Sequence, residues 1–548
     1  MAKYKKRELR VKITIITNYS KGSSHMYMIP YFLKSEAKNL LKIKLSKIIQ
    51  NISDDFIDNI FYYNSNNKYQ KIMLNLEENI KQSVLQALIE TFEIFDNLYL
   101  NSNDRKKIFN VCIRKCHRNI VTIFGILEFD RIYYYDKKDR NKHFFFIENL
   151  FNLPSYDRYD DIIKAIAIDN AISTNQKKGA EITTKQINSI LSDLNNSQQF
   201  VISRQDIYNW IDKWNVPSIE YEAIETDSDT LYIMIDEKYI HEQLKPFINK
   251  FSNNDVEEKS VEQIRNEFLN FLDYLKNPNK QLLLPPPKKK SKNFIMSKAF
   301  ISFTDIETKG NRRTLMNKFT FLTTGNNPWD EFMNTISKIF DFQKIKKIKV
   351  LSDAGTWITA GISNLKLFVD NIVIPCLCIF HVKQKINRST KDEILRKSLW
   401  NAIENNDKIT FNSIFNSILK NKDEKRTKTL KQYRHYILAH WDPINQMKSS
   451  KYKSSMEAHI SHNVAKPFSF EPKAFSKRHI QKLIKLQDYK ANGINILNLY
   501  LNSSHNTEIV TIKKEELSFS IFDNNSSNLP AINSTNLSLS HLLRNISC

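Results

Sequence analysis

Apolar residues recur at helical spacing through Leu76–Phe95, where Val84, Leu85, Leu88, Ile89 and Phe92 share one stripe. Residues 1 to about 100 therefore predict a helical N-terminal region. The pattern then changes. NIVTIFGILEF, DRIYYYD and KHFFFIENLF are compact apolar and aromatic runs punctuated by Gly125 and a DKKDRN turn. They predict a small β unit over 101–155. Residues 156–222 return to helical patterning in DDIIKAIAIDNAIS, TTKQINSILSDL and SRQDIYNWIDKW. The last has a strong start signal. Ser203 is placed as N-cap, Asp206 stands at N3, and Ile202 and Ile207 take the positions of a hydrophobic staple. Short helices ending in a well-capped one resemble a helix-turn-helix, with Arg204, Gln205 and Asn209 as candidate DNA contacts. An ordinary helical connector is the competing reading.

From residue 228 the pattern becomes α/β and continues to about 500. LYIMID (Leu231–Asp236) predicts a strand. NFIMSKAFISFTDI and NKFTFLTT predict a hairpin about a turn at ETKGNRR. The helix NPWDEFMNTISKIFDF, the strand KIKVLSD, the helix TWITAGISNLKLFV and the strand NIVIPCLCIF follow, then mainly helical sequence over 383–450. A second insertion, at about 245–292, carries a helical stripe (Val261, Ile264, Phe268, Phe271, Leu275) and then LLLPPPKKKSK. Its prolines favour extended polyproline structure. Lys288, Lys289 and Lys290 are either a DNA-contacting patch or a solvated linker. The stretch 501–548, rich in Asn and Ser, predicts a poorly ordered tail.

Composition narrows the function. A length of 548 residues implies several domains. Lys+Arg 82 against Asp+Glu 59 gives a net charge of +23, which suits a polyanionic partner. AT-rich coding sequence, which favours Lys, Asn and Ile, accounts for part of that excess. Only 8 glycines are present, and no G-x-G-x-x-G, Walker A loop or G-x-S-x-G occurs. Dinucleotide binding, P-loop ATP hydrolysis and α/β-hydrolase chemistry lose their usual signatures. Five cysteines in a long Lys-rich chain argue for a reducing compartment, and no run approaches the ~18 apolar residues of a membrane span. The expectation is a cytoplasmic, nucleoid-associated protein with no membrane partner. Cys112, Cys116 and His117 with Cys376, Cys378 and His381 could form a zinc site, though their spacing matches no common finger.

The chemistry concentrates in acids at strand ends. Asp236 ends the first strand of the α/β region, and Asp353 ends the fourth, ahead of the small residues Ala354 and Gly355. Asp353 could instead serve only to cap the next helix. Strand alternation sends Asp236 and Glu237 to opposite faces. Glu457 lies in SSMEAHISH beside His459. First and fourth strands can adjoin in a mixed sheet, and a helix across it would add Glu457. Three hard oxygen ligands suit Mg2+ or Mn2+. Two such ions about 4 Å apart clamp the attacking and leaving oxygens of a displacement at phosphorus. Cys378 and His381, followed by Lys383, stand at the end of the next strand, as accessory site groups or as strand filler and helix cap.

With these residues in view, the chain resembles a DDE transposase with an RNase H-like core. It is similar to ISLre-type bacterial insertion-sequence transposases and to transposase-like proteins of integrative conjugative elements, and more distantly to Mutator-type transposases. The matching residues are Asp236 in YIMIDEKYI, Asp353 in LSDAGTWI, the C-x-x-H of Cys378 and His381, and Glu457 in SMEAHISHNVAKPFSF. RNIVTIFGILEFDRIYYY, upstream, matches too, and the likeness spans about 105–497. In the turn after Asp353 the family more often has Gly first, where this chain has Ala354. The resemblance implies an α/β RNase H-like mixed-sheet core with a helical insertion, preceded by a small β unit and a helix-turn-helix-like region. It implies metal-dependent DNA cleavage and strand transfer of a mobile element, with Asp236, Asp353 and Glu457 as catalytic metal ligands. Lys383 joins the DNA-binding candidates. Partners would be element ends and target DNA, held by a homo-oligomer. A transposase-derived DNA-binding protein that no longer cuts, and a structure-specific nuclease on the same core, are the alternatives.

Overall fold

The computed structural model describes residues 31–62, 68–153, 156–193, 200–242, 294–310, 312–370, 372–420, 423–448, 456, 460–468 and 475–503. The 245–292 insertion with Lys288, Lys289 and Lys290, the acids and histidines Glu457 and His459, and the tail beyond 503 lie outside them. The described residues form two compact units, one of 219–494 and one of 31–218 with 495–503.

In the second of these, helices α1 (Tyr31–Tyr62) and α2 (Lys68–Asn101) pack together, and α3 (Asn103–Ile108) leads into a sheet. Strands β1 (Phe109–Thr122), β2 (Gly125–Asp136) and β3 (His143–Phe145) pair antiparallel in that order. KHFFFIENLF, expected as one strand, divides: β3 stops at Phe145 and α4 (Phe146–Leu150) begins. Phe146 and Ile147 are both fully buried, and two successive strand residues face opposite ways, whereas a helical turn buries both on one side. One face of the sheet is filled by Phe92 and Tyr99 of α2, Phe129, Ile132 and Tyr134 of β2, and Phe146 and Ile147. Beneath it, buried Glu148 ion-pairs with both Arg118 and Arg131.

Helices α5 (Asp161–Ser173), α6 (Gln176–Asp193) and α7 (Arg204–Lys213) are in mutual contact. α6 starts about two turns before the expected TTKQ. Gly179, which reads as a helix breaker, is what allows α5 so close: a Cβ there would sit 2.6 Å from the Ala171 backbone nitrogen. The last described helix, α16 (Ile496–Ser503), packs on α5, so the chain returns to this unit near 495 rather than ending the α/β domain at 500.

The 219–494 unit is a mixed α/β domain. Its strands β4 (Thr230–His241), β5 (Phe294–Phe303), β8 (Phe319–Thr323), β9 (Lys347–Ser352) and β10 (Ile372–Leu377) form one sheet in the order β10-β9-β4-β5-β8. β9 runs parallel to both β4 and β10, while β5 is antiparallel to β4 and β8. The expected single hairpin is two devices: β6 (Asp305–Lys309) and β7 (Arg312–Met316) pair as a separate ribbon, and the predicted turn residues Glu307–Lys309 are strand. Helices α8 (Pro328–Ile339) and α9 (Thr356–Phe368) cover one face, burying Leu231, Ile233, Ile235, Phe300 and Val350 against Phe332, Ile336, Ile358 and Ile362.

After β10 come α10 (Ile379–Ser389), α11 (Glu393–Glu404), α12 (Lys408–Leu419), α13 (Glu424–Ala439) and α14 (Trp441–Lys448). They share a core of their own around Leu399, Phe411, Phe415 and Trp441. A π-helix, Ile460–Ala465, packs against β4 and β5. Finally α15 (Lys477–Ala491) lies along the edge strand β8. Buried Asp488 and Asn492 accept the outward backbone N–H groups of Leu322 and Thr320, each at 2.8 Å, and Asn492 Nδ2 donates to the Thr320 carbonyl. Two side chains four residues apart thus satisfy an edge that would otherwise invite another strand. No described helix is long and apolar enough to cross a membrane.

Candidate active site

The candidate site forms where the carboxyl ends of β9 and β10 lie beside the middle of β4. Asp236 does not end its strand, as the sequence suggested: β4 runs on to His241, and pairing with β5 carries it past the acid. Parallel pairing matches Ile233 with Val350 and Met234 with Leu351. β9 ends at Ser352, one residue before Asp353; continued past Met234–Leu351, its register with β4 would bring Asp353 level with Asp236. Ile233 and Val350 lie in the α8–α9 core. Alternation therefore puts Met234, Leu351 and Asp236 on the opposite face, and Asp236 and Asp353 are both close enough to His381 to raise its pKa. The register of β10 matches Leu377 with Ser352, and the Cys378 N–H donates to the Ser352 carbonyl at 2.8 Å, so Cys378 follows beside Asp353.

Asp236 and Glu237 differ in their contacts: the Asp236 carboxylate accepts the Glu237 N–H at 2.8 Å. Glu237 accepts from the Trp357 indole of α9 through one oxygen and from the Tyr239 hydroxyl, at 2.8 Å, through the other. It is tied to its own face. The turn after β9 fixes Asp353. Its carboxylate accepts the Gly355 N–H at 2.9 Å, and its carbonyl accepts the Tyr436 hydroxyl at 2.6 Å. Ala354 takes a left-handed φ of 59° between them.

NIVIPCLCIF is not strand to its end. Cys378 is the residue before α10, and His381 lies in that helix's first turn. The buried Cys378 thiol hydrogen-bonds His381, and that bond, reinforced by the charges of Cys378, Asp353 and Asp236, holds the imidazole pKa above its ordinary value against the effect of burial. One turn on, Lys385 is half-buried, with Nζ 4.1 Å from the centre of the Tyr436 ring. Burial lowers its pKa and the Asp353 charge opposes that. Sequence reasoning missed Lys385 and Tyr436. The signal for Lys385 was its spacing: four residues after His381 is the same helical face. Lys383, which was named, is exposed and set over the Trp400 ring at 4.9 Å.

Among the described residues no group of three or more His, Cys, Asp or Glu side chains is gathered to hold a metal ion, and this includes the cysteines and histidines weighed for zinc. The described site offers the Asp236–Asp353 pair. Two carboxylates on neighbouring strands repel one another, and a divalent cation with hard oxygen preference is the natural relief. Ile460, three residues after Glu457, opens the π-helix against β4 and β5.

Of the DNA-binding candidates, Arg204, Gln205 and Asn209 lie exposed on the first turns of α7, and Gln205 donates to Asn209 at 2.9 Å. The start signal is realised in full as a capping box between Ser203 and Asp206. Residues 194–199, between α6 and the approach to α7, lie outside the described residues. Asn188 and Thr184 of α6 hydrogen-bond Phe200 and Ile202 and steady the approach to α7.

A family model described as "Uncharacterised protein family (UPF0236)" matches residues 67–274 and 286–502. The chain belongs to the UPF0236 family. Three UPF0236 proteins of Caldanaerobacter subterraneus subsp. tengcongensis are each 22% identical to it over 426 residues. The matches cover 76% of this chain and 76%, 76% and 72% of those proteins. The first carries a name that joins eleven locus designations of that one organism, so UPF0236 proteins recur within a genome. No solved structure matches this UPF0236 chain.

Proposed function

We propose that this UPF0236 protein is a DDE-type transposase that cuts and joins the DNA of a mobile element. The observation that carries the reading is the pair of acids at two adjacent parallel strands of a five-stranded mixed sheet, Asp236 within β4 and Asp353 in the turn that ends β9. The strand order supports an RNase H-like core: three antiparallel strands from the middle to one edge (β4, β5, β8), then two parallel strands (β9, β10) added on the other side of the first. The repeated occurrence of relatives in one genome also fits a mobile element. A homo-oligomer would hold the two element ends together.

Asp236 and Asp353, with Glu457 as third carboxylate, would hold Mg2+ or Mn2+, which supplies charge neutralisation at the attacked phosphodiester. In the first step a water oxygen bonds to phosphorus, the P–O3′ bond breaks, and a 3′-hydroxyl and a 5′-phosphate result. In the second, that 3′-hydroxyl attacks a target phosphodiester, loses its proton, and displaces a target 3′-hydroxyl. Lys385 and His381 bring positive charge to the same strand ends and suit the phosphate oxygens.

The test is a joining assay with purified protein, Mg2+ and duplex DNA bearing the sequences that flank the gene's element, beside Asp353→Asn. Asparagine keeps the acceptor for the Gly355 N–H and loses the charge. Joined products that fall below detection in the variant support the proposal. End binding without cutting, or cutting without joining, in the wild type would overturn it.

A further inference from the structure

We propose that the open face of the three-stranded sheet is a docking platform for single-stranded DNA. Alternation sorts the aromatic residues of β2 and β3. Tyr134 is fully buried and Phe144 packs on the same core under α2 and α4. Tyr133 and Tyr135 therefore face the other way, and so do their partners across the ladder, Phe145 and His143. His143 is exposed and the other three are half-buried. The rings form one continuous array. Tyr133 stacks on His143 at 5.0 Å and lies 4.6 Å from Phe145, Tyr135 lies 6.0 Å from His143, and the Arg131 guanidinium sits 3.7 Å over Phe145. Tyr156, held at a φ of 63° and 88% exposed, is near enough to influence the Tyr133 hydroxyl.

Cross-strand aromatic pairs can serve only to stabilise a sheet. Two features exceed that role. The array is on the face away from the core. Its borders are also basic: Lys138 and Arg140 are exposed on the turn joining Tyr135 to His143, and Arg114 and Lys115 are exposed where β1 bulges out of register beside Tyr133. Flat π-faces ringed by cations match a strand whose bases are unstacked and whose backbone is anionic. A duplex hides its base faces and offers nothing for the rings to stack on. The choice of DNA over RNA rests on the proposed transposase reading, in which single-stranded ends arise during cutting; the surface itself is argued apart from it.

The experiment is fluorescence anisotropy of the full chain with labelled oligo-dT, a duplex of equal length and oligo-rU, without divalent cation. Oligo-dT should bind more tightly than both. Tyr133→Ala with His143→Ala should weaken it at least about fivefold, since each base stack contributes that much or more. Lys138→Ala with Arg140→Ala, on an exposed turn where folding is not at issue, should lower the salt slope by about 0.7 per lost cation. Tighter binding of duplex or of oligo-rU, or unchanged dT binding in both double variants, overturns the proposal. A chain that never joins DNA can pass this test, and a working transposase can fail it, so the two readings fall separately.

Discussion

The five-stranded sheet is covered by α8 and α9 on one face and meets the π-helix at β4 and β5. Its candidate chemistry gathers where β9 and β10 end beside β4, at Asp236, Asp353 and Cys378. The three-stranded sheet packs the Tyr134 side of β2 on α2 and α4, and the opposite side of the β2–β3 pair carries Tyr133, Tyr135, His143 and Phe145. In the first, two parallel strands stop beside a longer one, so the turns after β9 and β10 bring Asp353 and Cys378 toward Asp236 of β4 and a few charges can converge. In the second, the ladder itself spreads rings over an area suited to contact rather than reaction. The two sheets also differ in how polar groups are paid for beneath them. The small one relies on a buried ion cluster, Glu148 with Arg118 and Arg131. The large one relies on neutral clasps such as Asn492 on Thr320.

The ion cluster gives the largest expected effect. Glu148→Ala leaves two guanidinium groups without their shared carboxylate, and burial already lowers the pKa of both. Removing one member of a buried pair costs about 3–5 kcal/mol. Hydrogen exchange at β1 and β2 amides should accelerate accordingly, with β9 amides of the large sheet as the internal reference. Glu148→Gln should fall between. Equal protection in wild type and Glu148→Ala would end the claim that the small sheet depends on its ions.

A carboxylate nevertheless clasps a strand amide in each sheet, which gives the comparison a pH axis. Asp488 accepts from Leu322 of β8, and Asp96 of α2 accepts from Ile132 of β2. Burial pushes Asp488 up to about 8 and Asp96 up to about 7, from 3.8. Between the unfolded and folded values the native chain holds a proton that the unfolded chain has released. Stability therefore falls as pH rises from about 4 and levels off above about 8 for Asp488, or 7 for Asp96, with a slope of at most ~1.4 kcal/mol per pH unit per group. Asp488→Asn keeps an acceptor for Leu322 and should remove its share of that slope, and Asp96→Asn should remove a smaller one. Thermal midpoints at pH 5 and 8 measure both. A slope unchanged by Asp488→Asn would show that the large sheet's clasp does not titrate.

The same contrast explains what could be read from the chain. The acids were legible because Leu231–Ile235 of β4 and Val350–Ser352 of β9 are unbroken buried runs that Asp236 and Asp353 follow directly, but the run LYIMID hid that β4 continues through charged residues to His241. The helices over 383–450 were legible from their stripes. The platform was not, because in Ile132-Tyr-Tyr-Tyr135 every position is apolar enough to be core, and only the packing of Tyr134 reveals which rings are left outside. The start of α6 was hidden by Gly179, whose packing use outweighs its helix cost. The ribbon of β6 and β7 was hidden because its charged residues read as a turn. Tyr436 could not be found at all: it lies 83 residues from the Asp353 carbonyl it binds.

The smallest effect concerns the turn that aims Asp353. Ala354 holds φ at 59°, where a Cβ costs about 1–2 kcal/mol, and hydrogen bonds on both sides keep it there: its N–H donates to Ser352 Oγ at 3.2 Å and the Gly355 N–H to Asp353. Ala354→Gly removes that strain. Glycine also gives the unfolded chain more freedom, which returns about 0.5–1 kcal/mol. The strain term is the larger, so the variant should be more stable by about 0.5–1 kcal/mol, read as a higher thermal midpoint. Tyr133, Tyr135, His143 and Phe145 offer no such gain, since they lie in paired, extended backbone. A midpoint that stays level or drops in Ala354→Gly would mean the left-handed turn is not strained by alanine, and that Asp353 is held by its hydrogen bonds at no conformational cost.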